Sequence, residues 1–582
     1  MAKPSTPMLT GPEIEAGQAP LGAGQRWAVR GVEAAMLAVA AVFVALHFVH
    51  LKADFPNYFF WRDWAKYTDE GWYGDAAIRL YQLGHWNLPG DFNPGAALPV
   101  WPAIEVVLFR FTGVSLVAAR ALTVVVFALM LVCCYGLLRQ WAGVERGAGV
   151  RALAPATAVL LLAVSPFCFA FSRLAILEPL LVLLMLVALL VASAAGGASV
   201  PLRGAGWTVV LGVLFALMVL TKTTGVFLFP AVLWMLWASC GYRVAAFLRL
   251  AVPAGAVGGG LWGAYYGLLV RPRYLADYRY LFSANAYTGI TWKTLGAVLY
   301  DTIFDGIWIG KTLFALALVA AIGSLVGLLA SRLRGNPLPA TMLLWLLGYG
   351  AFMAYHANLQ PRYYLVLAVP LTSLVAMVFE PLLASAAGTW SSEGSARAPI
   401  DVFLLRVTAG LAGCALLFTA ANAARQTIGF VRHPEYTWVN AGRQVQAAVE
   451  RELAADPGHS RVVLSISGSD LSLMTGVPSV CDDFGTMTLT DRIARYRPGW
   501  FATWNEVEDD KMEALAPTYR LQRVMAAPAF DDTDRNLLIL YRLDRLAPGG
   551  AAPAPGKRRP VVVPKRLRTK IGEQPTAEQL EH

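Results

Sequence analysis

Eleven apolar runs, each near the roughly 20 residues a helix needs to cross a bilayer, constrain this chain more than any other feature. They cover 32–48, 116–138, 153–171, 180–195, 207–220, 226–240, 250–270, 308–329, 341–355, 364–383 and 402–421. A length of 582 residues would hold about four soluble domains, but 57% of the residues are hydrophobic and only 15% are charged. Soluble domains run near a quarter charged. The abundance of Trp, Tyr and Phe also excludes a disordered or fibrous chain. The fold class expected is an α-helical polytopic membrane protein of about 11 transmembrane helices, with a small C-terminal extracytoplasmic α/β domain.

Charge sets the orientation. A twelfth stretch, 95–111, is short, follows or contains Pro94, Pro99 and Pro102, and carries Glu105 and Arg110. With it left out, Arg139, Arg146, Arg151, Arg203, Arg243, Arg249, Arg332, Arg334 and Arg397 all fall in short loops on one side. The other side's short loops then hold only Arg173, Lys222 and Arg362. Counting it as a span would invert this bias, and short-loop Lys/Arg asymmetry marks the cytoplasmic side. The stretch is therefore read as an amphipathic or re-entrant piece lying at the outer surface. The N-terminus is expected inside and the C-terminus outside.

The expected organisation follows from this topology. Residues 1–30 form a disordered cytoplasmic tail, and 31–422 form the membrane core with outer loops at 51–115 and 271–307. Residues 423–546 form the extracytoplasmic domain, with an amphipathic helix over 436–454 and short strands over 461–465 and 536–543. Residues 547–582 form a disordered basic tail suited to anionic headgroups. The net charge of +10 fits a membrane protein's inside bias, so nucleic acid is not an expected partner. The six cysteines show neither metal spacing nor a disulfide framework. No internal repeat of the transporter kind is visible.

Polar residues gather on the outer side. Asp69 and Glu70, in Tyr67-Thr68-Asp69-Glu70-Gly71-Trp72-Tyr73, directly precede a helical pattern. Asp69 suits either a helix cap or a base that accepts a hydroxyl proton. Glu178 ends Phe171-Ser172-Arg173-Leu174-Ala175-Ile176-Leu177-Glu178, where ionisable groups at membrane depth are functional by default. Arg173 is a candidate partner for it. Lys222 and Arg362 oppose the positive-inside trend, as phosphate-binding cations would, or they pair with Asp69, Glu70 or Glu178. Acids and cations converging on one membrane face suit a transferase with a phospholipid-like donor.

These residues carry a resemblance. Asp69-Glu70-Gly71-Trp72-Tyr73 after the first span resembles the first-loop acidic motif of GT-C glycosyltransferases, in the branch of protein O-mannosyltransferases and lipid A aminoarabinose transferases. Asn93-Pro94 with Leu98-Pro99, Arg120, Ser165-Pro166 through Ser172-Arg173 to Glu178-Pro179, Leu220-Thr221-Lys222, and Arg362-Tyr363 with Pro370 are similar to later motifs, in the same order. The resemblance covers roughly 30–385. It departs at Asn93, where some relatives carry lysine, and at Glu178, which lacks the second acid that binds a metal in oligosaccharyltransferases.

The resemblance implies a polyprenyl-phosphate sugar as donor and membrane lipid as surroundings. The acceptor hydroxyl belongs to a glycan, lipid or protein. The location is the inner (plasma) membrane. No metal is obligatory, with a divalent cation left open. It implies catalytic roles for Asp69, Glu70 and Glu178, and donor-phosphate binding by Lys222 and Arg362. Tyr73, Arg173 and Tyr363 take structural or substrate-binding places. The competing class is a transporter or flippase for a lipid-linked or anionic solute, which would call for charge deep in the spans and broken helices.

Overall fold

The computed structural model describes residues 23–54, 69–91, 93–141, 153–196, 201–284, 289–304, 309–330, 336–356, 360–391, 399–465, 468–482, 485–505, 509–529 and 537–546. The basic tail expected over 547–582 lies outside them, as do Tyr67 and Thr68. Helix begins at Ala23, within the tail expected over 1–30.

The membrane part runs α1 (Ala23–His47), α2 (Glu70–Leu83), α3 (Val100–Thr112), α4 (Leu116–Trp141), α5 (Leu153–Val164), α6 (Pro166–Phe171), α7 (Leu177–Ala195) and α8 (Pro201–Thr221). It continues through α9 (Phe229–Ser239), α10 (Val244–Tyr265), α11 (Leu275–Ala284), α12 (Trp292–Phe304), α13 (Lys311–Leu329), α14 (Leu338–Tyr355), α15 (Tyr364–Ser391) and α16 (Pro399–Arg432). Among the described residues, 8 helices are long and apolar enough to cross a membrane. Three shorter apolar helices, Leu153–Val164, Ala205–Thr221 and Thr223–Ser239, add to them. The protein is a multi-pass membrane protein. α7 is the central helix: α4, α8, α9 and α15 all pack on it, and its interior residues Leu181, Met185 and Leu189 are fully buried.

Local sequence explains the departures from uniform spans. The apolar run at 153–171 is two helices because Pro166 has no N–H to continue α5. Ser165 restarts the chain by accepting the Cys168 N–H at 3.3 Å. The segment after α10, expected as an outer loop, stays helical through a wide turn, Tyr266–Tyr274, into α11. α16 does not stop at 421 but runs to Arg432, where Pro434 forces the chain out of helix. α3 packs on α2, α4 and α8 and is not among the spanning helices.

The C-terminal domain contains α17 (Thr437–Ala455), β1 (Val463–Ser465), α18 (Gly468–Thr475), β2 (Ser479–Val480), α19 (Leu489–Tyr496), β3 (Trp500–Trp504), α20 (Asp509–Leu515), β4 (Tyr519–Pro528) and β5 (Leu537–Arg545). The strands make one mixed sheet in the order β2-β1-β3-β5-β4. β1 pairs in parallel with β2 and β3, and β5 pairs antiparallel with β3 and β4. One face packs Trp500, Ala502 and Leu538 against α17, and the other packs Phe501, Leu464 and Ile493. Asp54, in the turns that follow the first span, caps α17 by accepting from Thr437 N (2.8 Å) and Trp438 N (3.1 Å). The domain is thus fixed to the membrane part at its first helix.

Candidate active site

Four helix beginnings converge. Asp69 is the residue before α2, and Glu178 lies in the first turn of α7. Lys222 starts the short 3-10 turn Thr223–Leu228 that leads into α9. Arg362 lies in the turn Pro361–Tyr363 that leads into α15. Each break has a local cause. Pro361 opens the turn at Arg362, and the extended backbone of Lys222 (φ −154°, ψ 122°) ends α8. The acid at the start of α7 is favoured by the helix dipole.

Arg362 joins the cluster. Its Nη1 is 2.8 Å from Asp69 Oδ2, and its Nε is 3.6 Å from Glu178 Oε1. Lys222 Nζ donates to the same Glu178 oxygen. Glu178 Oε2 has no hydrogen-bond partner among the described residues. The Lys222 ammonium stands 4.3 Å from the Tyr363 ring centroid, and the Arg362 guanidinium is 5.7 Å from both the Tyr73 and Tyr363 rings. Such faces hold cations by their quadrupole. Exposure grades across the cluster: the Asp69 side chain is 44% exposed and that of Glu178 is 0%. The arrangement is therefore a buried lysine and a half-buried arginine, with one carboxylate at the open rim. Outside the spans, burial pushes the Tyr73 hydroxyl well above its usual range against the opposing pull of Arg362.

The other expected residues go elsewhere. Glu70 turns away from the cluster. Its oxygens accept from Arg120 Nε (2.8 Å) and Nη2 (2.6 Å), and Oε1 also accepts from Ala175 N at 2.8 Å. Arg120 further donates to the carbonyls of Leu51 and Ala53, at 2.7 Å each. Glu70 thus pins the first loop to α4 and to the turn before α7. Arg173 donates to the carbonyls of Val49 (2.7 Å) and His50 (2.6 Å), stacks on Phe169, and makes no pair with Glu178. Two residues not singled out from sequence join the site. Tyr349 of α14 is buried beside Glu178 and Thr224. Asp470 of α18 accepts from Gly71 N at 2.8 Å. A Tyr inside a span carries no distinctive signal, and Asp470 lies 399 residues from its partner.

No protein-family model matches the chain, and no curated protein matches it. Solved structures do. ArnT from Cupriavidus metallidurans bound to undecaprenyl phosphate superposes with a TM-score of 0.57 at 16% identity, over 89% of this chain and 98% of that one. The apo state of the same protein gives 0.53 at 15% identity, over 88% and 98%. The chain shares the fold of ArnT. The polytopic helical fold with a small C-terminal α/β domain, expected from the sequence, is the fold observed.

Proposed function

We propose that the chain is a membrane glycosyltransferase that moves a hexosyl or pentosyl unit from a polyprenyl-phosphate carrier to an acceptor hydroxyl, with inversion. The acceptor belongs to a glycan, lipid or protein at the outer face of the inner membrane. The N-terminus is then cytoplasmic and the C-terminal domain extracytoplasmic. One observation carries this reading: Arg362 links a rim carboxylate, Asp69, to the buried Glu178–Lys222 pair. The undecaprenyl phosphate bound by ArnT, whose fold the chain shares, supports a carrier of that class.

In this proposal the donor phosphate enters between Arg362 and Lys222. Glu178 keeps the two cations close by offsetting their repulsion. The phosphate competes with Asp69 for Arg362, so donor binding releases the Asp69 carboxylate. Asp69 then takes the proton of the acceptor hydroxyl while that oxygen bonds to the anomeric carbon. The bond from that carbon to the phosphate oxygen breaks, and the carrier leaves as a phosphate anion held by the two cations. Glu70 is assigned a positioning part through Arg120, and Tyr73 and Tyr363 line the cations.

Vesicles containing the protein, given labelled polyprenyl-phosphate sugar and acceptor, provide the test. The proposal expects covalent label on the acceptor and loss of it in Arg362→Ala. Label moved across the bilayer intact would favour a flippase and overturn the transferase reading. Transfer that survives a chelator would assign phosphate neutralisation to Arg362 and Lys222. Transfer abolished by it would give that part to a divalent cation.

A further inference from the structure

An aspartate that precedes a helix ordinarily turns its carboxylate onto the N–H groups of the first turn. Asp69 does not. Its backbone (φ −64°, ψ 32°) is not the extended form of a capping residue, and its side chain makes no capping bond. The first-turn N–H of Gly71 donates instead to Asp470 Oδ1 at 2.8 Å, an acceptor 399 residues away in the C-terminal domain. Three acids therefore crowd one helix end with separate partners: Asp69 with Arg362, Glu70 with Arg120, and Asp470 with Gly71 N.

We propose that Asp470 caps α2 from the C-terminal domain and thereby leaves the Asp69 carboxylate free for Arg362 and the acceptor. Asp470 is a positioning residue. The inference rests on the reading of Asp69 as the base. The close approach depends on Gly71, because a Cβ there would meet the backbone of Ser469 and Asp470. Ser469 Oγ donates to Asp75, one turn further along α2, so α18 grips the helix at two levels. The C-terminal domain then does more than sit beside the site. It supplies the group that decides where the base points.

The unpaired first-turn N–H left by Asp470→Ala would draw Asp69 back into the ordinary cap. The test compares kcat and KM for wild type, Asp470→Ala, Asp470→Asn, Ser469→Ala and Asp69→Asn in the vesicle assay, each with its thermal unfolding curve. Asp470→Ala should lower kcat by about 10- to 100-fold, as a misplaced group of about 1 Å does, while KM for the donor stays within about twofold. Asp470→Asn keeps an acceptor of the same reach and should retain kcat within about threefold. Ser469→Ala loosens the seat without touching the cap and should also retain it.

If Asp470→Ala does not accumulate, Asp470→Ser, whose hydroxyl falls short of Gly71, takes its place with the same expectation. Wild-type kcat in the uncapped variant, or an Asp470→Asn as slow as Asp470→Ala, overturns the inference. So does a Ser469→Ala as slow as Asp470→Ala, which would reduce Asp470 to part of the domain contact. Asp69→Asn reports on the underlying reading separately. An active Asp69→Asn removes the base assignment. An inactive one beside a fully active Asp470→Ala removes only the cap.

Discussion

The two ends of α2 carry charge clusters built from the same residue types, and they differ in what is left open. At the far end Asp91 is fully buried and accepts from three donors: Arg79 Nη1 (2.5 Å), Arg492 Nη1 and the Tyr496 hydroxyl. Arg79 is also 2.8 Å from Asp75, which in turn accepts from Ser469. Asp91, Arg79 and Arg492 are each at most 2% exposed. Burial raises the Asp75 carboxyl, against the opposing charge of Arg79. At the near end the Asp69 side chain is 44% exposed, and Glu178 Oε2 is unpartnered among the described residues. A closed network joins two domains. An open one of equal charge leaves a carboxylate in reach of solvent. Perturbed ionisable groups mark both kinds of place, so solvent access distinguishes them.

The contrast is broken most sharply at its open end. Asp69→Asn should reduce transfer by about 10²- to 10⁴-fold, the usual worth of a general base, with thermal unfolding unmoved. A shifted unfolding transition with transfer intact would make Asp69 structural, like its counterpart Asp91. The closed end should respond the opposite way. Asp91→Ala strands Arg79 and Arg492 in the interior and should cost about 3–5 kcal/mol of stability. Denaturant unfolding of the detergent-solubilised protein measures this, and a loss under about 1 kcal/mol would argue against a closed network.

Lys222→Met tests the cation pair at an intermediate level. It should weaken undecaprenyl phosphate binding by about tenfold or more, since a bond to a charged group is worth about 1.5–3 kcal/mol. Unchanged binding would leave Arg362 alone with the phosphate.

The smallest effect belongs to Glu105, which packs on α2 at Gly74, is fully buried, and touches neither cluster. Burial holds its carboxyl well above the usual carboxylate range, with Trp101 opposing. The folded protein then binds a proton that the unfolded chain releases above pH ~4.3, so this group's contribution to stability falls as pH rises past that value. Glu105→Gln should flatten that slope and change stability at neutral pH by under about 1 kcal/mol. A steeper slope in the variant would contradict a protonated Glu105.

Much of this was legible because membranes impose length and charge rules on the chain. The apolar runs are helices, and Asp69, Glu178, Lys222 and Arg362 meet on one face as their loop positions implied. The soluble helix expected over 436–454 is Thr437–Ala455, and the strands expected over 461–465 and 536–543 are Val463–Ser465 and Leu537–Arg545. Trp500–Trp504 escaped notice because it is buried at every position, so it lacks the alternation that marks a half-buried strand. What sequence could not give is pairing across distance. Glu70 and Asp69 are neighbours of like charge, yet one belongs to Arg120 and the other to Arg362. Only the fold assigns those partners, and only the fold brings Asp470 to Gly71.

In the proposed reaction Arg362 holds the donor phosphate in competition with Asp69. Equilibrium titration of undecaprenyl phosphate into wild type, Arg362→Ala and Asp69→Asn tests it directly. Kd should rise by about tenfold or more in Arg362→Ala and stay level or fall in Asp69→Asn, where the guanidinium has lost its competitor. An Arg362→Ala protein that binds the carrier as tightly as wild type would contradict it.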